Sequence, residues 1–260
     1  MKYLGFARIT FNTNLASRIE PLINLASKPV FMIVSIFLWS VIYGRKVVIG
    51  GFTLDNTINY MMFSTIFSSF YGTMASNILG KRILRGNLIV DLIKPIDYGM
   101  KSVFITLGAK LYQVMFSVIP SLLIAFLFGF HIYSPLSAFL SFVAIFLGLL
   151  INLFLNLLWG LLYFKVKQFF PFENIKQTIF GFLVGAYIPL NFLPSIAQRV
   201  FSYLPFQFVV YVPSRIFIST YTLEQSLIYI GVQVLWVIIL YSLFKIGWHR
   251  ALLKFEGVGA

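Results

Sequence analysis

Long apolar runs separated by short polar segments are the main pattern along this chain. A membrane-spanning helix needs about 20 consecutive, mostly apolar residues. By that criterion the sequence predicts six spans, at residues 22–43, 57–79, 102–130, 136–164, 175–190 and 227–248. The fifth is the shortest of them. The pattern therefore predicts an all-α integral membrane protein in which residues 21–260 form one six-span transmembrane domain.

Residues 1–20 show a different pattern. Leu4, Phe6 and Ile9 are interleaved with the basic residues Lys2 and Arg8, so this segment is not apolar enough to span a membrane. Such a mixture is typical of an amphipathic helix that lies in the plane of the membrane interface. We expect an interfacial helix on the inner leaflet, and a frayed tail is the alternative.

Four prolines interrupt the apolar pattern before the last predicted span, at Pro189, Pro194, Pro205 and Pro213. Proline removes a helical hydrogen-bond donor and clashes with the preceding turn, so one straight helix is not expected here. Because the intervening residues are still apolar, residues 189–222 are predicted to form an outer re-entrant segment of short helices. The alternative is a plain hydrophobic loop packed on the spans.

Composition and charge support a membrane protein and indicate its orientation. The chain is 60% hydrophobic and 10% charged, whereas soluble domains carry about 25% charged residues. With the N-terminus inside, only Arg45, Lys46, Arg199 and Arg215 of the 20 basic residues lie outside. Basic residues collect in cytoplasmic loops, so we predict a multi-pass protein with both termini cytoplasmic. The net charge of +13 then meets anionic membrane lipid, and no nucleic-acid partner is expected.

Several kinds of chemistry are missing from the sequence. It contains no G-x-x-x-x-G-K-[ST] phosphate loop, no cysteine and no metal-binding histidine pattern, so we expect no catalytic site, metal or cofactor in this chain. All seven acidic residues lie at or outside the ends of the predicted spans. Ion-driven carriers often place ionisable groups within the bundle. Any transport is therefore expected to draw its energy from another chain.

A few polar residues fall inside the predicted spans. Asn152 and Asn156 are four residues apart and share one face of the fourth span, and Asn191 follows the fifth. These three asparagines are candidates for a translocation path. The alternative is that they hold helices together by hydrogen bonds.

Other span residues suggest local features. Lys110 lies about two turns into the third span and is expected to snorkel to the inner surface. Pro120 is expected to kink the same span. Gly181 and Gly185 form a G-x-x-x-G pattern in the fifth span, which predicts close helix packing.

The segment at residues 80–101 is basic and lies between two long apolar runs. Charge of this density belongs at a membrane surface, on the cytoplasmic side, where a soluble partner can push on it. The order Ile83-Leu84-Arg85-Gly86-Asn87-Leu88, followed by Leu92-Ile93-Lys94-Pro95, resembles a segment of ABC-2 type exporter permeases. That family segment reads roughly I-x-x-G-x-L-x-x-x-L-[IL]-[KR]-P. Asn87 stands where the family commonly has an acidic residue. The N-terminal helix, the six spans and the prolines before the last span also match this family.

The resemblance implies the permease subunit of an ATP-driven exporter in the cell membrane, most simply a bacterial plasma membrane. It implies a separate ABC ATPase subunit, which binds ATP and Mg²⁺, and a second permease, either an identical or a related chain. Residues 80–101 would be the cytoplasmic coupling segment, with the ATPase contact at Arg82, Arg85, Gly86, Leu88, Lys94 and Pro95. For these residues the alternative is anchorage to lipid phosphates. The substrate is expected to be amphiphilic; the alternative function is a membrane scaffold or sensor that transports nothing.

Overall fold

The computed structural model describes residues 2–16, 20–68, 74–93, 96–166 and 170–253, which are helical almost throughout. The helices are α1 (Lys2–Ala16), α2 (Glu20–Tyr43), α3 (Leu54–Ser68), α4 (Met74–Leu84), α5 (Leu88–Leu92), α6 (Tyr98–Gln113), α7 (Ile119–Leu127), α8 (Pro135–Leu161), α9 (Phe170–Leu183), α10 (Ser195–Ser202), α11 (Tyr211–Phe217) and α12 (Leu223–Leu253). A π-helical turn at Val114–Val118 joins α6 to α7, and 3-10 turns cover Leu162–Phe164, Leu190–Phe192 and Pro205–Phe208. Strands β1 (Val48–Ile49) and β2 (Phe52–Thr53) pair antiparallel as a small hairpin.

Within the described part of the chain, three helical stretches are long and apolar enough to cross a membrane, Tyr98–Leu127, Pro135–Phe164 and Leu223–Leu253. They coincide with the third, fourth and sixth predicted spans. Ser27–Tyr43, in the first predicted span, is a shorter apolar helix. α9 has 14 residues and rises only about 21 Å, less than the roughly 30 Å of a bilayer core. The all-α membrane fold is confirmed, whereas the presence of six spans stays a prediction.

One end of the helices carries the β1–β2 hairpin and is called the hairpin end below. The Tyr43 hydroxyl at the end of α2 donates a hydrogen bond of 2.9 Å to the Phe52 carbonyl of β2. Tyr133, between α7 and α8, donates one of 2.5 Å to Asp55 at the start of α3. Asn191 donates one of 2.7 Å to the Gly50 carbonyl. The hairpin, the α7–α8 connection and the proline-rich segment therefore meet at this end.

The opposite end carries residues 80–93 and 96–101 and is called the basic end. The Tyr98 ring, at the start of α6, stacks on Trp248 near the end of α12, with ring centroids 4.7 Å apart. Asp97 forms an ion pair with Lys245 of α12. The Tyr163 ring, after α8, packs directly on Gly80 of α4. The long helices thus run between the two ends, with α12 antiparallel to α6.

α8 forms the centre of the protein. Residues 151–157 of α8 are all buried, and a helix that is buried on every face lies in the interior of a bundle. α8 packs against α12, α4 and α11. The Gln233 amide of α12 donates hydrogen bonds to two carbonyl oxygens, Ala144 of α8 at 3.0 Å and Phe208 at 2.8 Å. One buried amide thereby links α12, α8 and the proline-rich segment.

α1 packs along α6, from Lys101 to Gly108. The Tyr3 and Phe104 rings stack with centroids 5.6 Å apart, and the Lys101 ammonium lies 5.5 Å from the centroid of the Phe6 ring. At Gly108 the two helices approach so closely that a Cβ atom would lie 2.2 Å from the Ala7 carbonyl oxygen. These contacts fix α1 to the bundle, and its place at the inner membrane interface stays a prediction.

We expect Gly108→Ala to separate α1 from α6, because the Ala7 backbone cannot yield to the added methyl group. The measurement is the rate of tryptic cleavage after Arg8, which is exposed on α1, and that rate should rise. The matched control is Gly231→Ala in α12, where an added Cβ meets nothing within 4 Å. Equal cleavage rates in the two variants would show that the close approach does not hold α1.

The structure changes two expectations about residues inside the spans and agrees with a third. Lys110 does not snorkel, because its side chain is buried and its ammonium donates a hydrogen bond of 2.7 Å to Gln113. The G-x-x-x-G prediction is wrong, because Gly181 packs on the Tyr187 ring rather than on a helix and Gly185 lies beyond the end of α9. The π-helical turn directly before Pro120 is the local break that a proline is expected to cause.

Candidate coupling surface and translocation cavity

The chain between α4 and α6 forms a tight turn and a short helix. After α4 ends at Leu84, Gly86 adopts a φ of +71°, in the left-handed region that favours glycine. The turn leads into α5, in which the Leu88 side chain is fully buried in the hydrophobic core. Leu88 therefore anchors α5 to the protein. Lys94 and Pro95, expected at the end of this segment, lie outside the described residues.

A buried carboxylate ties α5 to its two neighbouring helices. Asp91 accepts a hydrogen bond of 2.5 Å from the Lys101 ammonium of α6 through Oδ1, and its Oδ2 pairs with the Arg82 guanidinium of α4. Lys101 is itself buried, between the Phe6 and Tyr98 rings. A carboxylate that bridges two cations fixes their relative positions more firmly than an exposed pair would. Arg82, which the sequence suggested as a partner contact, is thus engaged within the chain.

The outward face of α5 is apolar with a cation beside it. Ile89, Val90 and Ile93 are 40%, 56% and 78% exposed, and Arg85 is exposed at the preceding turn. These four residues are called the α5 surface below. An exposed apolar patch rimmed by charge is typical of a protein–protein contact site. The α5 surface lies at the basic end, next to the side chains that Asp91 holds in place.

The start of α6 has a helix cap that also contacts α12. Asp97 is the N-cap residue, and its Oδ1 accepts a hydrogen bond of 2.9 Å from the Met100 backbone N–H. Partial burial by itself raises the pKa of Asp97. The hydrogen bonds from Lys245 and from the backbone N–H groups of Met100 and Gly99 outweigh that effect and hold this pKa below its ordinary value. The carboxylate is therefore favoured at neutral pH.

We expect Asp97→Ala to lower the free energy of unfolding by about 1–2 kcal/mol at pH 7, because both the cap and the ion pair are lost. Asp97→Asn keeps a capping oxygen and should cost less. A depressed folded-state pKa stabilises the fold above the ordinary aspartate pKa of about 3.9, and this contribution is lost as pH falls through the folded value. Thermal unfolding at pH 7 and below about pH 4 should show the Asp97→Ala difference shrinking in acid. A constant difference would contradict the assignment.

A cavity of about 410 Å³ lies between α2, α3, α8 and α9. Its polar lining includes Lys28, Thr65, Ser68, Asn152, Asn156 and Gln177, and its apolar wall includes Phe31, Phe180, Val184 and Val210. The Lys28 ammonium of α2 donates a hydrogen bond of 3.2 Å to the Ser68 hydroxyl of α3. The structure thus places Asn152 and Asn156 on one cavity wall. Asn191 is elsewhere, at the hairpin end.

A buried polar cluster adjoins the cavity and consists of Ser76, Asn156, Tyr163, Glu173 and Lys176; it is called the Glu173 cluster below. Lys176 is fully buried, pairs with Glu173 and donates a hydrogen bond of 2.8 Å to Asn156 Oδ1. Glu173 also accepts hydrogen bonds of 2.7 Å from Tyr163 and 2.8 Å from Ser76. Every oxygen of the carboxylate therefore has a donor, as a buried charge requires. Asn156 belongs to both the cluster and the cavity wall.

Glu173 lies at a helix end, as expected for the acidic residues, but the Glu173 cluster buries it inside the protein, which the sequence did not indicate. Glu173 is only 5% exposed, although the predicted fifth span began at residue 175. α9 begins at Phe170, so Glu173 falls in its first turn. The i,i+3 spacing of Glu173 and Lys176 was the signal available in the sequence. That spacing is equally common on exposed helix faces, and the sequence does not show which face α9 buries.

The proline-rich segment is broken into short helices, as its prolines indicated. Pro189 and Pro194 precede a 3-10 turn and α10, and Pro205 begins another 3-10 turn. Pro213 lies within α11, which is buried against α8 and α3 and whose Pro213 carbonyl accepts a hydrogen bond of 2.9 Å from Ser141. α10, in contrast, has no buried residue. Whether the segment re-enters the membrane stays a prediction.

Long apolar helices packed around a polar-lined cavity are typical of an α-helical membrane protein. The chain belongs to the ABC-2 family of transporters, because the sequence model described as "ABC-2 family transporter protein" matches its residues 30–259. The family resemblance is thereby confirmed. Members are membrane subunits of ABC transporters, which work with an ATPase partner. No curated protein matches the chain at a significant level.

Proposed function

We propose that this chain is the permease subunit of an ATP-driven exporter, which moves an amphiphilic substrate outward when a separate ATPase subunit docks on it. In this proposal it is a multi-pass protein of the cell membrane with six spans and both termini in the cytoplasm. The basic end then faces the cytoplasm, as the positive-inside rule requires. The hairpin end and the re-entrant segment at residues 189–222 face outward.

The observation that carries the proposal is the α5 surface. The exposed apolar side chains of α5 and of Ile93, which follows it, would be unfavourable in water, yet Asp91 and Leu88 hold this segment in place at the basic end. Such a feature fits an apolar groove on a soluble partner, and Arg85 beside it fits an acidic rim. We assign the contact to the α5 surface, and we propose Lys94 and Pro95, which follow Ile93 in the sequence, as further contact residues. Arg82, Gly86 and Leu88 position that surface.

The contacts of α4 suggest how partner movement reaches the cavity. α5 is fixed to α4 through Arg82 and Asp91, and Ser76, two turns earlier in α4, belongs to the Glu173 cluster. That cluster includes Asn156, which lines the cavity. A packed helix moves as a rigid element. Tilting of α5 by ATPase closure would therefore shift α4, and with it the wall of the candidate translocation path.

A second permease, identical or related, would complete the transport unit. α2 offers a surface for it, because Val30, Val34, Phe37 and Val41 are exposed at 57%, 57%, 63% and 79%. In a membrane protein such a face meets either lipid or another subunit. We propose that some of the exposed apolar helix faces contact lipid and that others contact a second permease.

The test of the proposed function uses the tagged full chain with whatever subunits copurify in mild detergent, reconstituted into proteoliposomes. We expect flux of a fluorescent amphiphile that depends on ATP and Mg²⁺ and is abolished by a non-hydrolysable ATP analogue. ATP hydrolysis by the copurified subunit should rise when the amphiphile is added. An assembled complex that hydrolyses ATP without moving any amphiphile would instead favour the scaffold or sensor alternative.

A further inference from the structure

We propose that the cavity between α2, α3, α8 and α9 selects anionic amphiphiles, with the phosphate or carboxylate head held by Lys28 and the apolar chain lying along α9. This inference rests on the proposed function, because it specifies the substrate class of that permease. It assigns Lys28 the role of head-group recognition.

The position of Lys28 is the first argument. It lies in the apolar helix Ser27–Tyr43, where an ammonium group is costly unless it serves a site or finds a partner. Its side chain crosses to α3, where the ammonium donates a hydrogen bond to the Ser68 hydroxyl. An ammonium group has three donors. None of the described residues that line the cavity is acidic, so an anionic ligand is the natural counter-charge.

The shape of the lining is the second argument. Gln177 lies at the cavity with an exposed side chain, so its amide can donate to the same head group. Phe31, Phe180 and Val184 provide an apolar wall. The volume of about 410 Å³ lies within the range of about 300–1,000 Å³ typical of small-molecule sites. A cation, an amide and an apolar wall together match an amphiphile with an anionic head.

The direction of the cavity follows from the helices that line it. Ser68, the partner of Lys28, is 14 residues after Leu54 at the hairpin end, or about 21 Å along α3. Val184 and Tyr187 lie just beyond the C-terminal end of α9, which points toward the hairpin end. The cationic part of the cavity is therefore nearer the basic end. A bound amphiphile would place its head there and its chain toward the hairpin end.

The test measures equilibrium binding of radiolabelled dodecyl phosphate and dodecyltrimethylammonium to the full chain in phosphatidylcholine nanodiscs, with empty nanodiscs subtracted. We expect dodecyl phosphate to bind more tightly than the cation. Lys28→Met should raise its Kd at least about tenfold through loss of a charge-assisted contact, and Lys28→Arg should keep most of the affinity. Lys46→Met, which removes an exposed lysine outside the cavity, is the matched control and should change nothing.

A second variant guards against a folding defect in Lys28→Met. Gln177→Trp changes an exposed residue, so the fold should tolerate it, while the larger side chain should obstruct the cavity and weaken dodecyl phosphate binding. Unchanged binding in both Lys28→Met and Gln177→Trp would overturn the proposal. The proposal would also be overturned if dodecyltrimethylammonium bound as tightly as dodecyl phosphate and its binding depended on Lys28 to the same degree.

Two further arms separate the ligand source and the proposed function. If a membrane lipid is the natural occupant, phosphatidylglycerol in the nanodiscs should displace dodecyl phosphate. If a soluble amphiphile is the natural occupant, dodecyl phosphate should stay bound. Displacement that persists in Lys28→Met would contradict the assignment of Lys28 to the head group. Binding requires no ATPase. Lys28-dependent binding without ATP-driven flux in the reconstituted complex would therefore refute the exporter function and still support the Lys28 site. ATP-driven flux that depends neither on Lys28 nor on the charge of the probe would support the exporter function and refute the Lys28 site.

Discussion

Glu173→Gln is expected to destabilise the protein by about 3–5 kcal/mol, because it leaves the fully buried Lys176 without its counter-charge. At roughly 2–4 °C per kcal/mol for a chain of this size, the melting temperature should fall by roughly 6–20 °C. Lys176→Met leaves Glu173 with its hydrogen bonds from Tyr163 and Ser76. It should therefore cost less than Glu173→Gln. The double variant Glu173→Gln/Lys176→Met removes both charges and should recover most of the lost stability.

Thermal unfolding of the detergent-solubilised protein measures these differences. Glu224→Gln is the matched control, because Glu224 is an exposed acid in the first turn of α12, and its melting temperature should change little. If the two single variants and the double variant were all as stable as the parent chain, the Glu173 cluster would not be the buried ion pair described above. If the double variant were worse than either single variant, the two charges would act independently.

The second large effect concerns the α5 surface. Ile93→Asp is expected to abolish copurification of the ATPase subunit, because it places a carboxylate in the apolar part of the proposed contact. Ile93 is 78% exposed, so the permease itself should keep its fold and its melting temperature. Arg85→Glu should weaken assembly at least about tenfold and make it more salt-sensitive, because it reverses a charge at the rim.

Val47→Asp is the matched control for Ile93→Asp. Val47 is 80% exposed and lies at the hairpin end, so the same substitution there should leave ATPase assembly unchanged. Assembly is read as the ATPase-to-permease ratio after affinity purification from native membranes. Normal assembly and normal transport in Ile93→Asp and Arg85→Glu would refute the proposed contact. A low ratio in Val47→Asp would indicate a general folding defect.

The sequence was sufficient for the fold class and for the longest helices. The apolar runs at residues 102–130, 136–164 and 227–248 coincide with long helices, because hydrocarbon requires every backbone hydrogen bond to be made within the segment. The prolines correctly indicated a broken segment before α12, since proline cannot continue a helical hydrogen-bond ladder. The resemblance at Arg85-Gly86 also pointed to the correct family.

The direction of individual side chains could not be predicted. Arg82 and Arg85 are equivalent in the sequence pattern, yet Arg82 turns toward Asp91 while Arg85 is exposed. The difference depends on where α4 ends and on the left-handed turn at Gly86, which sets the direction of α5. Lys110 likewise turned inward to Gln113. Such choices depend on tertiary packing, which a single sequence does not display.

The cavity was only partly predictable. The i,i+4 spacing placed Asn152 and Asn156 on one face of a helix, but it did not show that Lys28 and Gln177 converge on the same space from α2 and α9. Their convergence depends on the packing of α2 and α3 against α8 and α9, two pairs of helices that are distant in sequence. Asn191 was grouped with the other asparagines because it directly follows the predicted fifth span, whereas α9 ends at Leu183 and Asn191 belongs to the hairpin end.

In the proposed function, this permease works through an ATPase docked on the α5 surface. The most direct measurement is native mass spectrometry of the tagged chain, extracted in mild detergent from its native membrane, in parallel with the Ile93→Asp variant. We predict a stoichiometric nucleotide-binding subunit with the parent chain, accompanied by a second permease, and its loss in the variant. A parent chain without any nucleotide-binding partner, or a variant that retains one in full, would contradict the account.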